Sequence, residues 1–570
     1  MVRSSRHIEV GKFEGVILGA ALGDALGWPN EDRARRASMP SDRQNFFESW
    51  TKRSGGRFQP HEERIEAGSY SDDTQLVVAV ARSRLRGHSW WKYLAFVEFP
   101  FWTTYHRGAG GASLRAANVL LRRMLPWESE QDKPRYFEAG GNGVAMRVAP
   151  HSLLGSLDKD FTATATNVLT DGVLTHGHPT ALVGALAYSY ALWVALRRTE
   201  TLEFGQLLEE VRVGIPDWAP LPSLTEQWPT WLATAHSAKY MSSWHRAVED
   251  FKSMLDFASD GLVKGALDFD EEVLQRIGCF DKKINGAGTV AAAASIFLCS
   301  KYAVSPMEGV ARAAYAKGAD TDTIASMTGA LAGAINGVSW LIPVVNELQD
   351  HVFLAGLADD LHSTSEGSAV SVPAATADVK SFLSELTESP GSHPVSLPIG
   401  LTAHVVGDGG VISKSDKLRA TSWKLRDEKG QTFFVKKMRK QPAQRMLSDQ
   451  PNLDLSLPGG PHAKFAGISL FARDLEESRH FYCDLLGLPI RRGTERLVAL
   501  GEHLVLRQNS SVRSVGEGSI VYVDVDNIDL CWRNLRSIKY AQVSSIERKS
   551  NRPSFMCKDP DGRTVEVFQR

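Results

Sequence analysis

Hydrophobic residues recur every three or four positions through most of the chain between residues 12 and 361. Asp73–Leu85, Pro179–Leu196 and Thr321–Ile335 show this spacing, with much alanine and few alternating β-branched residues. A period of this kind is typical of helices that bury one face. Alanine and glycine within Gly329–Leu341 favour a close approach of neighbouring helices. The pattern predicts an all-α bundle of many helices over residues 12–361.

The pattern changes after this helical region. Residues 362–398 are rich in Ser, Pro, Gly and Ala, which predicts a linker with one short helix near Asp378–Leu386. In residues 399–440, short strand-like runs alternate with the turn sequences DGG and DEKG. We expect a small, β-rich antiparallel segment there, and nothing in its pattern indicates a function. Residues 441–463 are polar and contain proline, so we interpret them as a second linker.

The last block, residues 464–570, repeats one order of elements. A strand, a helix and further strands occur twice, and the second copy ends with strands near Val543–Ile546, Phe555–Cys557 and Thr564–Phe568. Two similar halves of about 50 residues are an internal repeat. We therefore predict an α+β module in which the two halves form one pseudo-symmetric sheet with a concave face.

Composition narrows the class of protein. The chain has 570 residues, and 65 Lys and Arg against 66 Asp and Glu give a net charge of −1, which argues against a protein dedicated to nucleic acids or membrane surfaces. The first residues lack the apolar stretch of a signal peptide, and no uninterrupted apolar run reaches about 18 residues. The five cysteines never form a C-x-x-C pair, so a disulfide scaffold or thiolate zinc site is not expected. We expect a soluble, multidomain, cytoplasmic protein.

Three acidic segments stand out in the helical region. They are GDALGWPNE with Asp24 and Glu31, SDDT at residues 71–74 and DTDT at residues 320–323. Each of the last two precedes a helix, so both could simply be N-caps. A cap needs one oxygen, however, and adjacent carboxylates repel each other unless a cation or a proton neutralises them. Carboxylates and hydroxyls without His or Cys are the ligands that Mg²⁺, Mn²⁺ and Ca²⁺ prefer, so a metal site and simple capping both remain open.

Five motifs then carry a family resemblance. GAALGDALGWPNE, GSYSDDTQ, GGNGVAMRVAP, LTHGHPTALVGALAYSYA and KGADTDT occur in an order that resembles the ADP-ribosylglycohydrolase family. The resemblance spans residues 12–361. It implies an all-α fold, two Mg²⁺ ions (or Mn²⁺) in a cleft, and hydrolysis of an N- or O-glycosidic bond that joins ADP-ribose to a modified protein or another acceptor.

The resemblance also assigns roles to individual residues. Glu31 falls where several members place an acidic residue near the scissile bond, and Glu31 or Asp73 would assist proton transfer. Ser71 stands where threonine is more usual, and its hydroxyl preserves the ligand. The implied metal ligands are Ser71, Asp72, Asp73, Asp320, Asp322 and Thr323. The implied substrate-binding residues are Gly110, Gly111, Ser113, Gly140, Gly141, Asn142, Gly143, Met146 and His176.

Other conspicuous residues are better explained by structure than by chemistry. We expect Asp24 to bind local backbone amides and His178 to be structural, because Pro179 follows it. Arg147 could reach a phosphate or pack its stem on the bundle. The basic run KKMRK at residues 436–440 could contact nucleic acid, but a lysine-guarded sheet edge is the favoured interpretation.

The C-terminal block carries a second resemblance. KFAGISLFARDLEESRHFYCDLLGLPI and MCKDPDGRTVEVFQR are similar to the glyoxalase/bleomycin-resistance/dioxygenase superfamily, which is built from paired βαβββ units. Metal-dependent members place ligands where this chain has Gly467 and Ile520, so Glu566 would be left as a lone ligand. The resemblance therefore implies a non-catalytic module that binds a ligand or protein or forms a homodimer. For the whole chain, the alternative to a hydrolase is a non-catalytic protein that senses ADP-ribose or occludes a toxin.

Overall fold

The computed structural model divides the chain into two compact units, Met1–Met446 and Leu447–Arg570. The structure describes residues 7–31, 46–55, 60–200, 202–235, 238–264, 270–375, 378–388, 393–413, 418–440, 468–494, 497–500, 504–508, 520–525, 527–536, 538, 541–548 and 553–569. The predicted linker at 441–463 lies outside these residues, as does Gly467.

The first unit is mainly helical, which confirms the predicted fold class. Its described helices are α1 (Val10–Gly27), α2 (Asp72–Arg84), α3 (Trp90–Tyr93), α4 (Phe99–Trp102), α5 (Gly111–Leu121), α6 (Lys133–Phe137), α7 (Ala149–Leu154), α8 (Thr162–Gly172), α9 (Pro179–Leu196), α10 (Gln206–Val213), α11 (Ile215–Trp218), α12 (Pro229–Ala235), α13 (Ala238–Lys264), α14 (Asp270–Ile277), α15 (Gly288–Lys301), α16 (Pro306–Ala314), α17 (Thr321–Asn336), α18 (His351–Ser365) and α19 (Val379–Glu388).

Helices α1 and α17 pack along a stripe of glycines. A Cβ atom on Gly15, Gly19, Gly23 or Gly27 would lie 2.0–2.4 Å from a backbone oxygen of the facing segment. Gly15 faces Gly337 whereas Gly27 faces Thr321, so the two helices run antiparallel. Only glycine allows so close an approach without a clash. The last turn of α1 therefore meets the first turn of α17, which brings Asp24 close to the DTDT segment.

Helix α9 is the most apolar long helix among the described residues. By length and composition alone it could cross a membrane, but 83% of it is buried inside the protein. Its Gly184 packs directly on Gly288 at the start of α15, where a Cβ atom would lie 2.3 Å from the backbone of Gly288. A fully apolar helix in such surroundings is a core helix of the bundle.

Two small sheets complete the first unit. Its strands are β1 (Trp50–Ser54), β2 (His61–Ile65), β3 (Val395–Ser396), β4 (Thr402–Gly407), β5 (Val411–Ser413), β6 (Leu418–Asp427) and β7 (Thr432–Lys440). One sheet has the order β1-β2-β5 and the other β3-β4-β6-β7, and all their pairings are antiparallel. The sequence patterns did not predict β1 and β2. Because β2 pairs with β5, the β-rich segment belongs to the same compact unit as the helices.

The segment interpreted as a linker at 362–398 contains regular structure. It includes the end of α18, then α19, close to the predicted helix, and the short strand β3. Phe382 of α19 is fully buried and meets Phe101 edge to face at 5.5 Å. This part of the chain therefore packs on the helical bundle.

The second unit has two similar halves, as the internal repeat predicted, but its described strands form two separate sheets rather than the predicted single sheet. The first half contains β8 (Ile468–Ala472), α20 (Leu475–Arg479), β9 (Ile490–Thr494), β10 (Leu497–Leu500) and β11 (Leu504–Gln508). The second contains β12 (Ile520–Asp524), α21 (Ile528–Arg536), β13 (Ser554–Lys558) and β14 (Thr564–Phe568). The sheet orders are β8-β11-β10-β9 and β12-β14-β13, with parallel pairing of β8 to β11 and of β12 to β14.

One predicted strand of the second half is wrong. Residues 543–546 form no regular strand, and only Glu547 makes a bridge to Ser554. The amide of Ser544 still donates to the carbonyl of Met556 at 2.8 Å. The segment thus runs beside β13, but the hydrogen bonds are too few to make a ladder.

Candidate metal-binding cleft

Asp24 attaches the SDDT segment to α1. Its carboxylate is fully buried and accepts hydrogen bonds from the amides of Ser71 and Thr74, both at 3.0 Å, and from the Thr74 hydroxyl at 2.7 Å. Burial raises the pKa of Asp24 to about 6, although these hydrogen bonds oppose the shift. The contacts are those of a structural carboxylate, as the sequence suggested.

Ser71 caps α2, and its metal-ligand role stays a prediction. Its hydroxyl accepts from the amide of Asp73 at 3.2 Å, and the residue is fully buried. A serine at this position therefore performs the capping that the sequence left open. The two carboxylates that follow it are not needed for the cap and point elsewhere.

The predicted site residues converge on one cleft of about 230 Å³. The SDDT and DTDT segments lie at its base because α2 and α17 both begin there. Of the sequence-predicted residues, Ser71 and Gly140 do not line it. The lining residues are Glu31, Asp72, Asp73, Gly108, Gly110, Gly111, Ala112, Ser113, Gly141, Asn142, Gly143, Met146, His176, Gly286, Asp320, Asp322 and Thr323.

The carboxylates of the cleft face one another in buried surroundings. Burial is the largest cause that raises the pKa of Asp72, Asp73 and Asp322 well above the usual range, and repulsion from neighbouring carboxylates adds to it. Burial also raises the pKa of Asp320. Such a group of like charges needs protons or cations for its neutralisation.

The donor atoms of the cleft fit a hard divalent cation. Among the described residues, Oδ1 of Asp73 is buried and has no hydrogen-bond partner, an unusual condition for a carboxylate oxygen. The other donor atoms beside it are carboxylate and hydroxyl oxygens, and His176 is the one histidine that lines the cleft among the described residues. This is the donor set of Mg²⁺ or Mn²⁺ sites.

Asn142 links the glycine-rich loop to the carboxylates at the bottom of the cleft. Its side-chain amide donates to Oδ2 of Asp320 at 3.0 Å, and its backbone amide donates to the carbonyl of Gly286 at 2.9 Å. No sequence pattern pointed to Gly286, where a Cβ atom would lie 3.4 Å from Asp320. The loop and α17 are therefore held in a fixed relation on both sides of Asp320.

The glycines of the loop serve different purposes. A Cβ atom on Gly143 would lie 2.8 Å from the Ser113 hydroxyl and 2.9 Å from the His176 ring, so no side chain fits there. Gly110, by contrast, borders open space. Gly140 lies behind the cleft, against the ring of His178. Exposed backbone next to a helix start is a typical anion-binding surface.

His176 is a neutral histidine at the cleft wall. Burial, followed by the charge of Arg147, lowers its pKa to about 3. Its Nδ1 lies 2.8 Å from the hydroxyl of Thr175, which fixes the ring orientation. A neutral, oriented imidazole can exchange hydrogen bonds with a bound hydroxyl group.

Arg147, whose role was left open, and His178, which was expected to be structural, both make structural contacts. Arg147 is fully buried and pairs with Asp171 at 2.9 Å and with the Thr175 hydroxyl at 2.9 Å. It also donates to the carbonyl of Gly143, so it supports the loop from behind. His178 accepts from the amide of Thr180 at 3.2 Å and caps α9.

Glu31 lies at the rim of the cleft, beside a lysine from β1. Nζ of Lys52 is 3.4 Å from Oε2 of Glu31 and 5.2 Å from the centre of the Trp28 ring. Sequence reasoning missed Lys52 because WTKRS has no apolar alternation. It also missed Gly108, whose φ of +89° favours glycine, and where a Cβ atom would lie 3.1 Å from Oδ1 of Asp72.

Comparison with known proteins agrees with this geometry. The family model described as ADP-ribosylglycohydrolase matches residues 6–370, and the model described as Glyoxalase/Bleomycin resistance protein/Dioxygenase superfamily matches residues 464–567. The chain therefore belongs to the ADP-ribosylglycohydrolase family and carries a glyoxalase-type domain at its C-terminal end. Its family makes it a hydrolase of ADP-ribose linkages.

Individual relatives are distant. The chain is 26% identical to the ADP-ribosylhydrolase ARH3 of Danio rerio over 350 residues, which are 57% of this chain and 83% of that protein. A solved ADP-ribosylglycohydrolase-related protein complex matches at 20% identity and a TM-score of 0.39, covering 62% of this chain and 98% of its own. A lactoylglutathione lyase from Agrobacterium tumefaciens matches at 22% identity and a TM-score of 0.16, covering 19% and 96%.

In the described part of the second unit, the clustered acidic residues are paired with arginines and do not form an acidic cleft. Asp559 accepts from Tyr482 at 3.0 Å and pairs with Arg563 at 2.8 Å. Asp561 pairs with Arg473 at 3.1 Å and with Arg563 at 3.2 Å. The D-P-D-G motif thus supports the fold, while Glu566 lies in β14 opposite Met556 and Tyr522.

Proposed function

We propose that this protein is a Mg²⁺-dependent hydrolase, also able to use Mn²⁺, that releases ADP-ribose from a modified protein side chain or another acceptor by cleaving an N- or O-glycosidic bond. The observation that carries the proposal is the convergence of two acidic segments at one cleft, with one carboxylate oxygen left without a partner. A loop suited to phosphates and a neutral histidine border the same cleft. Family membership supports the same chemistry.

Two ions would be held by the predicted ligands Ser71, Asp72, Asp73, Asp320, Asp322 and Thr323. When bound, such ions would orient the ribose hydroxyls of a substrate and polarise a water molecule or the leaving group. Ser71 contributes by capping α2, which fixes the direction of Asp72 and Asp73. Asn142 restrains Asp320 in the same way from the other side of the cleft.

The remaining wall would bind the nucleotide sugar. The backbone of Gly110, Gly111, Gly141 and Gly143 faces the cleft, where its amides can reach phosphate oxygens. Ser113 and Met146 line the same wall. His176 stays uncharged, so it can position a hydroxyl without attracting a second phosphate. These residues would orient the anomeric carbon toward the carboxylates at the bottom of the cleft.

Glu31 is the better candidate for proton transfer. Its side chain is 44% exposed, so it can exchange protons with water, whereas Asp73 is buried among the ligands. One carboxylate oxygen cannot bind an ion and accept a proton at the same time. We therefore assign Asp73 to the metal and Glu31 to the proton that leaves the attacking water.

The second unit would be a non-catalytic module that binds a ligand or target or pairs two copies of the chain. Its acidic pair is already neutralised by arginines within the fold. Glu566 is one carboxylate, which is too few ligands for a catalytic ion.

The deciding assay measures release of ADP-ribose by the full chain. Arginine-, serine- and DNA-linked ADP-ribose are each incubated with Mg²⁺, with Mn²⁺ or with EDTA. We expect release from at least one substrate, lost in EDTA and in Asp320→Ala. The matched control Asp256→Asn alters a surface carboxylate that pairs with Arg212 and should keep wild-type activity.

Other outcomes separate the alternatives. Tight binding of ADP-ribose without release from any linkage would point to a sensor rather than a hydrolase. Release that persists in EDTA would contradict the metal requirement, and activity retained by Asp320→Ala would contradict the assigned ligands.

A further inference from the structure

The β-rich segment, which together with β3 spans residues 393–440, packs against one arginine next to the cleft, Arg107. Arg107 is 1% exposed, and its guanidinium lies 3.6 Å from the centre of the Phe434 ring on β7. Its Nε donates to Glu63 of β2 at 2.5 Å, and its Nη2 donates to the carbonyl of Arg64 at 3.2 Å. Arg107 is thus enclosed between the two sheets of the first unit.

Gly108, the residue next to Arg107, lies close to the carboxylates at the bottom of the cleft. A Cβ atom on Gly108 would lie 3.1 Å from Oδ1 of Asp72 and 3.2 Å from the Trp28 indole nitrogen. Gly108, Gly110 and Gly111 then line the cleft. We call residues 104–111 the cleft loop. A shift of Arg107 would therefore move backbone that borders both the carboxylates and the substrate.

Strand β7 holds the same loop at further points. The amide of Lys436 donates to the carbonyl of Thr104 at 3.1 Å, and its Nζ lies 3.4 Å from Glu63. Phe433 is fully buried and meets Tyr105 edge to face at 5.0 Å. The backbone hydrogen bond covers part of the edge of β7, where unpaired backbone groups would otherwise be protected from pairing with another strand only by lysine side chains.

The other sheet connects the β-rich segment to Glu31. Val411 of β5 lies opposite Glu63 of β2, and Glu63 lies opposite Lys52 of β1. Lys52 in turn pairs with Glu31 at the cleft rim. Residues 393–440 are therefore connected to the cleft by two sets of contacts. One set, from β7, ends at the cleft loop, and the other, through β5, β2 and β1, ends at Glu31.

We propose that the β-rich segment is an integral part of the hydrolase and that Arg107 and Phe434 are positioning residues, which hold the cleft loop in the geometry that binds ADP-ribose. The inference rests on the proposed function for its substrate, but not for its structural readout. A charged group packed between a carboxylate and a ring, and buried on all sides, fixes backbone more tightly than a surface contact can.

The test compares two apolar substitutions within one sheet of the full chain. Phe434→Leu removes the ring beneath Arg107 and keeps an apolar side chain. Leu425→Val trims a fully buried residue of β6 that lies opposite Phe433 rather than Phe434, so it loosens the packing of the sheet while the ring beneath Arg107 is kept. Arg107→Lys keeps the charge and loses the guanidinium geometry.

Two measurements are made on each variant. Hydrogen exchange of a peptide that covers residues 104–113 should become at least about tenfold faster in Phe434→Leu and Arg107→Lys, but not in Leu425→Val. The KM for the ADP-ribosylated substrate should rise about tenfold in the same two variants, with kcat within about twofold of wild type. The number of magnesium ions bound should be unchanged, because every proposed metal ligand is retained.

The outcomes distinguish this inference from the proposed function. If the wild type releases no ADP-ribose, the proposed function fails while the exchange measurement still decides the positioning role. If Phe434→Leu shows wild-type exchange in the cleft loop, the positioning role is overturned. A fall in kcat with unchanged KM, shared by Leu425→Val, would also overturn it, since that pattern reflects a smaller folded fraction.

Discussion

Two groups of buried carboxylates in this chain are neutralised in different ways. In the second unit, Asp559 and Asp561 share two arginines and a tyrosine within the fold. In the cleft, Asp72, Asp73, Asp320 and Asp322 form no ion pair with a basic side chain among the described residues. The sequence motifs look alike, because both are short Asp-rich turns before regular structure. What differs is whether another part of the chain supplies the cation.

Asp171 is a buried carboxylate of the first unit that, unlike the cleft carboxylates, has basic partners within the protein. Burial favours a raised pKa for Asp171, but the charge of Arg147 and the hydrogen bond from His151 outweigh it and lower that pKa. For the cleft carboxylates, burial and repulsion act in the same direction and raise the pKa. A buried carboxylate without an internal partner is costly. Such a carboxyl needs a proton or a cation, and we propose that divalent ions neutralise the cleft carboxylates.

The largest expected effect is on the rate of ADP-ribose release. Asp73→Asn should lower it about 1,000-fold or more, because the unpartnered oxygen is replaced by an amide that binds Mg²⁺ poorly. In EDTA the same variant should be more stable than wild type by about 1 kcal/mol, since one repelling charge is gone. Chemical denaturation and a release assay measure the two effects.

Asp256→Asn is again the control, since that carboxylate is 46% exposed and its surface pair contributes little. A variant Asp73→Asn that is both slower and less stable in EDTA would mean that Asp73 is structural, like Asp171.

The second unit should respond in the opposite sense. Arg563→Met leaves two buried carboxylates without their shared cation and should destabilise this unit by about 3–5 kcal/mol. Release of ADP-ribose from a small substrate should stay within about twofold of wild type. Limited proteolysis followed by mass spectrometry detects the unfolded unit, and the release assay is run on the same sample.

A tenfold loss of ADP-ribose release in Arg563→Met, with the first unit still folded, would contradict the account that only the cleft carboxylates take part in the reaction. It would mean that the glyoxalase-type domain contributes to the reaction.

The glycine stripe that brings the cleft carboxylates together should tolerate no side chain. Gly23→Ala would place a Cβ atom 2.0 Å from the carbonyl oxygen of Ala325 and should cost about 3 kcal/mol or more, because two helix backbones must separate. Gly356→Ala, on α18, meets nothing within 4 Å and should stabilise by up to about 1 kcal/mol. Thermal unfolding of the two variants compares them directly.

Equal stability of Gly23→Ala and wild type would show that α1 and α17 are not in close contact. The antiparallel register that joins Asp24 to the DTDT segment would then be wrong.

The smallest effect is the pH dependence of stability. Carboxyls with a raised pKa in the folded state bind more protons than in the unfolded chain, so the free energy of unfolding falls as pH rises. For Asp24 this loss begins near the unfolded value of about 3.9 and is complete above about 6. Ions that replace these protons should offset the loss. The gain in Tm on adding Mg²⁺ should therefore grow from pH 4 to pH 7, and a gain that is constant or shrinks would contradict the account.

Most of the helical unit and its site could be predicted because the signals are local. The period of the apolar residues places α2, α9 and α17, and the SDDT and DTDT segments sit at helix starts where their spacing is visible. The sequence could not show which of these residues cap and which face the cleft. That depends on Asp24, which takes the amides of Ser71 and Thr74 from another helix.

The strands β1 and β2 could not be predicted for a physical reason. WTKRS and HEERI carry charges where a strand core needs apolar residues. Glu63 can be buried only because Arg107 and Lys436 approach it from distant parts of the chain. A pattern that counts a charged residue as exposed cannot anticipate such partners. The same contacts make the β-rich segment part of the first unit.

The central claim is that the cleft carboxylates bind two divalent ions, and titration calorimetry tests it most directly. Demetallated full-length protein is titrated with Mg²⁺ and, separately, with Mn²⁺, beside Asp322→Asn and Asp256→Asn. The account predicts uptake of about two ions by the wild type and by Asp256→Asn, and of at most one by Asp322→Asn. Absence of uptake by the wild type, or unchanged uptake by Asp322→Asn, would contradict it.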